Sequence, residues 1–183
     1  MPAGAPVDDL LANTRLLSLD VDGVLTDGRI VYTASGDEIK AFHAQDGLAL
    51  KLLADTGVKL AIISGRASPI VERRARELGI DACHLGVADK LSVLGALCDA
   101  QGVTRGEIAH IGDDINDLPL MAAVGCGLSV ANGHPSVRAA AAGVSRAAGG
   151  AGAVREWCVR IMQAQGNWPY PDPDASSDAA PDD

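Results

Sequence analysis

Short apolar runs that end in polar residues alternate with longer amphipathic segments along most of the chain. Residues 16–20 (LLSLD) form a continuous apolar run that ends in a carboxylate, which is typical of a buried parallel strand. Runs of the same kind lie at 58–64, 108–112 and 127–130. Apolar residues at helical spacing predict the intervening helices, over 47–56, 69–78, 90–100 and 115–124. The alternation predicts an α/β fold with a doubly wound parallel sheet and right-handed crossovers.

Glycines follow the four predicted helices, at Gly57, Gly79, Gly102 and Gly125. The residue just past a helix C-terminus often has a left-handed backbone, which glycine adopts without steric cost. We therefore expect each of these glycines to cap the helix before it.

Residues 28–42 interrupt the alternation. Two short runs at 30–33 and 38–42 flank a polar, glycine-containing turn, which predicts a β-hairpin. Because it follows the first strand directly, we expect the hairpin to form a flap at the carboxyl edge of the sheet, where open α/β sheets bind ligands.

The length of 183 residues and the composition fit a chain with one domain, which we place at 14–167. An N-terminal tail at 1–13 and a disordered acidic tail at 168–183 flank it, the second being rich in Pro, Asp, Ser and Ala. The formal net charge of -9 argues against nucleic-acid binding. No N-terminal apolar stretch has the basic flank of a signal peptide, and no apolar run approaches membrane length. The four cysteines form no CxxC pair, so we expect a soluble, cytoplasmic protein with free thiols.

Polar and charged residues gather at the predicted strand ends. Six carboxylates at one edge would repel each other unless cations lay among them. A hard divalent ion bound through oxygen, together with Lys90, resolves the repulsion, and Mg²⁺ fits because it takes a few carboxylates and completes its shell with water and phosphate. The alternative, that these motifs are only turn and helix-cap signals, is weakened by their joint occurrence. The carboxylates are Asp20, Asp22, Asp27, Asp113, Asp114 and Asp117.

The order of motifs DVDGVLTD (20–27), SGR (64–66), Lys90 and GDDIND (112–117) resembles the haloacid-dehalogenase phosphatase superfamily. The hairpin in place of an inserted cap domain resembles the capless subfamily, whose members are typically tetramers in which a neighbouring subunit helps to close the site. Segments 43–47 (HAQDG), 149–156 (GGAGAVRE) and 164–166 (AQG) are similar to phosphatases of 3-deoxy-D-manno-octulosonate 8-phosphate, which serve lipopolysaccharide synthesis. The resemblance implies a Rossmann-like sheet, a Mg²⁺ cofactor, a small sugar-acid phosphate as substrate, and a homotetramer.

The resemblance also implies roles for the motif residues. Asp20 is the nucleophile and a metal ligand, and Asp22 is the general acid and base whose backbone carbonyl is a second ligand. Asp113 is the third ligand. The remaining residues assist: Ser64 and Lys90 hold the phosphoryl oxygens, while Asp114 and Asp117 orient Lys90 or metal-bound water.

Recognition of the sugar acid needs cations away from the phosphate. By resemblance Lys51, Arg66 and Arg74 are the candidates for its carboxylate, and the eight-residue spacing of the two arginines lets them share a helix face. Asp22 and Lys90 would also contact the substrate. The sugar-binding loop implied by the resemblance comprises His43, Ala44, Gln45, Asp46 and Gly47.

Two other interpretations stay open. One is a phosphatase of nine-carbon sugar-acid 9-phosphates, whose relatives tend to carry an acidic residue where this chain has Arg66. The other is a catalytically silent binding module of the same fold, against which the intact Asp20, Asp22, Lys90 and Asp113 argue. His84, His110 and His134 lack the spacing of metal ligands and are interpreted as structural or exposed residues, and the glycine cluster at 149–152 as a flexible connector that helps to close the site.

Overall fold

The computed structural model describes residues 7–170, and every structural statement below refers to that part of the chain. Its strands, in chain order, are β1 (Leu16–Leu19), β2 (Val31–Tyr32), β3 (Glu38–Ile39), β4 (Lys59–Ile63), β5 (Ala82–His84), β6 (Ile108–Gly112), β7 (Cys126–Ser129) and β8 (Gly143–Val144). Its α-helices are α1 (Val7–Ala12), α2 (Ala44–Asp55), α3 (Pro69–Leu78), α4 (Leu94–Gln101), α5 (Leu118–Ala123), α6 (Pro135–Ala140) and α7 (Ala153–Ala164). Short 3₁₀ turns lie at Lys90–Val93, Arg105–Glu107 and Ile115–Asp117.

Six strands form one sheet in the order β5-β4-β1-β6-β7-β8, and all its neighbours are parallel. The chain leaves β1 toward β4 and β5, then returns to β6 on the other side of β1. Ligands bind in open α/β sheets where the strand order reverses in this way, outside the carboxyl ends of the strands. The predicted doubly wound sheet is confirmed, and its reversal point lies between the ends of β1 and β6.

The predicted hairpin is present as β2 and β3, which pair antiparallel directly after the first strand. Among the described residues it is the only insertion between β1 and α2, so no cap domain covers this edge. Four apolar side chains of the hairpin are exposed, namely Ile30, Val31, Tyr32 and Ile39.

Alternating side chains divide the core between the two faces of the sheet. Leu17 and Leu19 of β1 pack on the side of α2, α3 and α7, whereas Leu16 packs on the side of α4 and α5. Both layers are built almost entirely from aliphatic residues. Trp157 of α7 is the exception; it is fully buried and its indole N–H donates to the carbonyl of Ser129 at 3.0 Å. None of the helices described is long and apolar enough to cross a bilayer.

Three of the four expected helix caps have the left-handed backbone, with φ of 95° at Gly57, 74° at Gly79 and 63° at Gly102. The prediction was wrong for Gly125, where α5 instead ends in the extended backbone of Val124. Gly125 is required for another reason: a Cβ there would lie 2.0 Å from the carbonyl oxygen of Gly106. Close contact between backbones, rather than helix capping, explains this glycine.

The structure differs from the expected N-terminal tail, because Val7–Ala12 form a helix that packs on α7. Leu11 is fully buried there, which gives these residues an apolar reason to fold. At the other end, Trp168 packs partly against the core and its ring lies 5.0 Å from that of Tyr170. The rest of the expected acidic tail, 171–183, lies outside the described residues.

The glycine cluster at 149–152 is packed against the loop that follows β1 and is not a free connector. The N–H of Gly150 donates to the carbonyl of Val24 at 3.1 Å. Asn132 joins the two segments, accepting from the N–H of Gly149 at 2.7 Å and donating to the carbonyl of Gly23 at 3.3 Å. A Cβ on Gly149 would lie 1.8 Å from that carbonyl oxygen.

Gly149→Ala should therefore destabilise the protein by about 1–3 kcal/mol, because backbone atoms on both sides must move apart. The matched control is Gly95→Ala in α4, where a Cβ meets nothing within 4 Å. We expect this control to stabilise the protein by about 0.5–1 kcal/mol, since alanine favours helix more than glycine does. Urea unfolding measures both, and equal effects of the two substitutions would contradict the close packing.

Candidate active site

The loop after β1 carries Asp20, which is 6% exposed at the carboxyl end of that strand. The chain turns at Gly23, whose φ of 96° is left-handed. A Cβ on Gly23 would lie 2.0 Å from the Oδ2 atom of Asp113, so glycine is needed for both the turn and the approach of the two loops. The hydroxyl of Thr26 accepts from the N–H groups of Gly23 and Gly28 at 3.4 and 3.2 Å and thereby fixes the turn.

Lys90 lies between two carboxylates. Its Nζ atom is 2.9 Å from the Oδ1 atom of Asp20 and 2.6 Å from that of Asp117, and its side chain is 1% exposed. Burial disfavours the ammonium, but the two carboxylates outweigh that effect and raise the pKa of Lys90 above its ordinary value. Lys90 is therefore a fixed positive charge beside Asp20.

Asp117 is fully buried and all of its hydrogen-bonding capacity is used. Its Oδ1 atom contacts Lys90 and the Nε2 atom of His110, the latter at 3.2 Å. Its Oδ2 atom accepts from the backbone N–H groups of Asp113 and Asp114 at 3.1 and 3.3 Å. Burial alone would raise the pKa of Asp117, but His110 and Lys90 lower it to about 2. Asp117 thus anchors Lys90 and has no oxygen left for a metal ion.

Asp113 has the opposite environment. Its Oδ1 atom is buried without a hydrogen-bond partner. Burial raises its pKa to about 7, and the nearby carboxylates of Asp20, Asp117 and Asp114 add to the shift. One oxygen each of Asp20, Asp113 and Asp117 lie within 4.8 Å of one another. A divalent cation at this point would relieve the repulsion, and because Asp117 is saturated, Asp20 and Asp113 are the side chains able to hold it.

A polar cleft of about 280 Å³ opens above these residues. The structure brings together there most of the residues predicted from the motifs, and adds Asn116, which sequence reasoning did not single out. Ser64 is 3% exposed, at the end of β4. The side chains lining the cleft include Asp20, Asp22, Ser64, Arg66, Asp113 and Asp114.

Two cations contact Asp22, namely Arg66, which was predicted from the sequence, and Lys40, which was not. The ammonium of Lys40 donates to its Oδ1 atom, and Nε of Arg66 lies 3.6 Å from its Oδ2 atom. The Lys40 side chain is 1% exposed, although it follows a short surface hairpin. The sequence feature that points to Lys40 is strand alternation, since Glu38 and Lys40 are two residues apart and their side chains point to the same side of the strand.

Glu38 ties the hairpin to the loop after β4. Its carboxylate accepts from the guanidinium of Arg66 at 3.1 Å and from the hydroxyl of Ser68 at 2.6 Å. The Ser68 hydrogen bond, with help from Arg66, lowers the pKa of Glu38. Arg66 also donates to the hydroxyl of Tyr32 at 3.2 Å. The residue expected to bind a substrate carboxylate therefore holds a carboxylate of its own chain.

The predicted substrate residues other than Asp22 and Arg66 do not line this cleft. Arg74 pairs with Glu77 at 3.4 Å and lies 5.6 Å above the ring of Phe42. A Cβ on Gly47 would meet this guanidinium at 2.2 Å. Lys51 of α2, Ala44 and Gln45 are all exposed. Their proposed roles in substrate binding remain predictions.

Asp46 is buried and holds the start of α7, where its Oδ1 atom accepts from the N–H of Arg155 at 2.8 Å. Its Oδ2 atom has no hydrogen-bond partner and lies 4.0 Å from Nδ1 of His43. Burial raises the pKa of Asp46. The segment predicted to bind sugar thus also joins α2 to α7.

Comparison with known proteins agrees with this geometry. Residues 83–155 match the model of the haloacid dehalogenase-like hydrolases. A 3-deoxy-D-manno-octulosonate 8-phosphate phosphatase of Haemophilus influenzae is 45% identical over 156 residues, which cover 85% of this chain and 87% of that protein.

Solved structures give the same picture. The phosphatase of this name from Yersinia pestis has a TM-score of 0.88 and 41% identity, over 89% of this chain and 88% of the other. The one from Moraxella catarrhalis, in complex with a magnesium ion, a phosphate ion and 3-deoxy-D-manno-octulosonate (KDO), has a TM-score of 0.86 and 44% identity, over 88% and 93%. The chain belongs to the haloacid dehalogenase-like hydrolases and, within them, to the family of 3-deoxy-D-manno-octulosonate 8-phosphate phosphatases.

Proposed function

We propose that this chain is a Mg²⁺-dependent phosphatase that hydrolyses 3-deoxy-D-manno-octulosonate 8-phosphate to KDO and phosphate, as a step in lipopolysaccharide synthesis. The observation that carries this proposal is the position of Lys90, which lies between Asp20 and Asp117 at the point where the strand order reverses. The choice of substrate is supported by the relatives of that name and by the KDO bound in the Moraxella catarrhalis protein.

In the proposed reaction Asp20 attacks phosphorus, and an aspartyl-phosphate bond forms as the bond to the sugar oxygen breaks. Asp22 gives its proton to that oxygen and later takes one from the water that hydrolyses the intermediate. Lys40 and Arg66 restrict where the Asp22 carboxyl group can point. Lys90 and Ser64 hold the phosphoryl oxygens on which charge develops.

Asp20 and Asp113 would hold Mg²⁺, together with the backbone carbonyl of Asp22 that the resemblance implies. When bound, the ion supplies positive charge that stabilises the phosphoryl group during transfer. The unpartnered, buried Oδ1 atom of Asp113 supports this assignment. Asp114 lines the same cleft and is assigned to the orientation of metal-bound water.

We also propose that the protein acts in the cytoplasm as a homotetramer. The exposed apolar side chains of the hairpin support self-association, because a patch of this kind marks interaction sites. A neighbouring subunit would then complete the sugar-binding region formed by 43–47, Lys51 and Arg74. Gel filtration with light scattering measures the oligomer directly.

Asp20→Asn should abolish Mg²⁺-dependent phosphate release, by more than about 10³-fold in kcat, because the amide is not a nucleophile. The fold should survive, since Asn has nearly the same shape and keeps a hydrogen-bond acceptor for Lys90. Phosphate release from 3-deoxy-D-manno-octulosonate 8-phosphate measures the first effect, and circular dichroism the second. Undiminished turnover in a folded variant contradicts the mechanism, whereas absence of turnover in the unaltered protein leaves a binding module as the better interpretation.

Mg²⁺ should bind about tenfold more weakly at pH 6 than at pH 8. The raised pKa of Asp113, about 7, means that below that pH a proton competes with the ion for the carboxylate. Isothermal titration of the metal-free protein measures the affinity at each pH. Asp113→Asn is the control, which should bind weakly at both values; an equal affinity of the unaltered protein at pH 6 and 8 argues against Asp113 as a ligand.

Arg66→Ala should lower kcat/KM for 3-deoxy-D-manno-octulosonate 8-phosphate by about 10–100-fold, the loss expected for a charge-assisted hydrogen bond to the sugar carboxylate. Arg66→Lys keeps the charge but not the planar fork, so we expect an intermediate loss. A neutral sugar phosphate without a carboxylate is the matched control and should be affected less. A nine-carbon sugar-acid 9-phosphate belongs in the same panel, and a higher kcat/KM for it would replace the proposed substrate.

A further inference from the structure

A buried hydrogen-bonded chain underlies the Lys90 site. Ser18 of β1 and His110 of β6 are register partners in the sheet, and both are fully buried. They continue the face on which Leu16 and Ile108 pack against α4 and α5, where apolar side chains would be expected. Burying a polar group without a partner costs about 1–3 kcal/mol, so two such residues in this layer need a reason to be there.

The contacts of His110 assign the hydrogen on its ring. Nε2 faces the Oδ1 atom of Asp117 at 3.2 Å, and a carboxylate can only accept, so Nε2 carries a hydrogen. Nδ1 lies 2.9 Å from the hydroxyl of Ser18, which donates to it or accepts from it according to the tautomer. The same hydroxyl has the carbonyl of Ala109 at 3.3 Å as a longer alternative acceptor. Donation from Ser18 along the shorter of these two contacts favours the tautomer in which His110 donates toward Asp117.

The hydrogen bond from His110 matters because the oxygen of Asp117 that accepts it also accepts from Lys90. The Oδ1 atom of Asp117 accepts from His110 and from Lys90, while its Oδ2 atom is held by the N–H groups of residues 113 and 114. Without His110, the carboxylate could rotate and draw Lys90 away from Asp20. The backbone beside Asp113 would lose the same support.

We propose that His110, held in its Nε2–H tautomer by Ser18, is a positioning residue that fixes Asp117 and through it Lys90 for phosphoryl transfer. The inference rests on the proposed function, since the geometry it describes serves that reaction. His110 does not line the cleft; it acts on Lys90 through Asp117.

Paired substitutions separate positioning from packing. His110→Leu keeps an apolar volume but removes the donor, and should lower kcat about 10–100-fold, as loss of an outer hydrogen-bond partner does, with little change in KM. His110→Gln places an amide N–H near the Nε2 position and should recover most of the lost kcat. Ile111→Val is the matched control, because its side chain lies on the opposite face of the same strand, and should leave kcat unchanged.

Each outcome decides the inference. An unchanged kcat in His110→Leu, a glutamine variant no more active than the leucine variant, or a loss confined to KM would each overturn it. Thermal unfolding of every variant shows whether a lost kcat merely reflects lost structure, and a glutamine variant that regains stability but not kcat counts against the role.

A readout independent of turnover distinguishes this inference from the proposed function. In ¹⁵N spectra of the ring nitrogens, assigned by comparison with His110→Gln, His110 should show a proton on Nε2 and none on Nδ1. Ser18→Ala should shift the population toward the other tautomer and lower kcat. A proton on Nδ1 in the unaltered protein overturns the inference even if the enzyme is active, whereas an inactive protein with the expected spectrum overturns only the proposed function.

Discussion

The site depends on one buried ammonium. Lys90 lies in the interior between Asp20 and Asp117, and each of these groups would be costly to bury without the others. The negative charges of the neighbouring carboxylates are compensated unequally. Asp117 is satisfied from four directions, whereas Asp113 retains an oxygen with no partner, so the remaining unbalanced negative charge faces the cleft, where a cation belongs. The same asymmetry gives three neighbouring carboxylates, which do not differ in residue type, the separate environments that the proposed roles of anchor, nucleophile and ligand require.

Backbone proximity makes this arrangement possible. The loops that carry Asp20 and Asp113 approach so closely that Gly23 has no room for a side chain, and the glycine cluster at 149–152 packs on the other side of the same turn. Asn132 bridges the two segments through both ends of its amide. The loop that carries Asp20 is therefore held in place by contacts with distant parts of the chain.

Sequence patterns predicted the sheet and the residues at its carboxyl edge because both follow local rules. Parallel buried strands are continuous apolar runs, and polar residues at their ends meet at one edge, so the grouping of Asp20, Ser64 and Asp113 follows from the sequence alone. The roles of Lys40 and His110 do not. Alternation places Lys40 on the same side as Glu38, but so short a hairpin does not indicate which residue lies there, and the role of His110 depends on which residue stands opposite it in β1. The same limit explains why the prediction for Gly125 was wrong, since a helix cap can be predicted from local sequence but a contact with Gly106 cannot.

The contact between residues 149–150 and the turn at Gly23 joins segments that lie far apart along the chain. During synthesis the loop that carries Asp20 emerges before the segment that supports it and before α7, which follows that segment directly. Contacts between such distant residues form only after the chain between them has been ordered. A nascent chain that extends through β1, β4, β5 and β6 as far as Asp117 would thus have every carboxylate and lysine of the site but no support behind the turn. Catalytic competence should be acquired late, when the last helix docks.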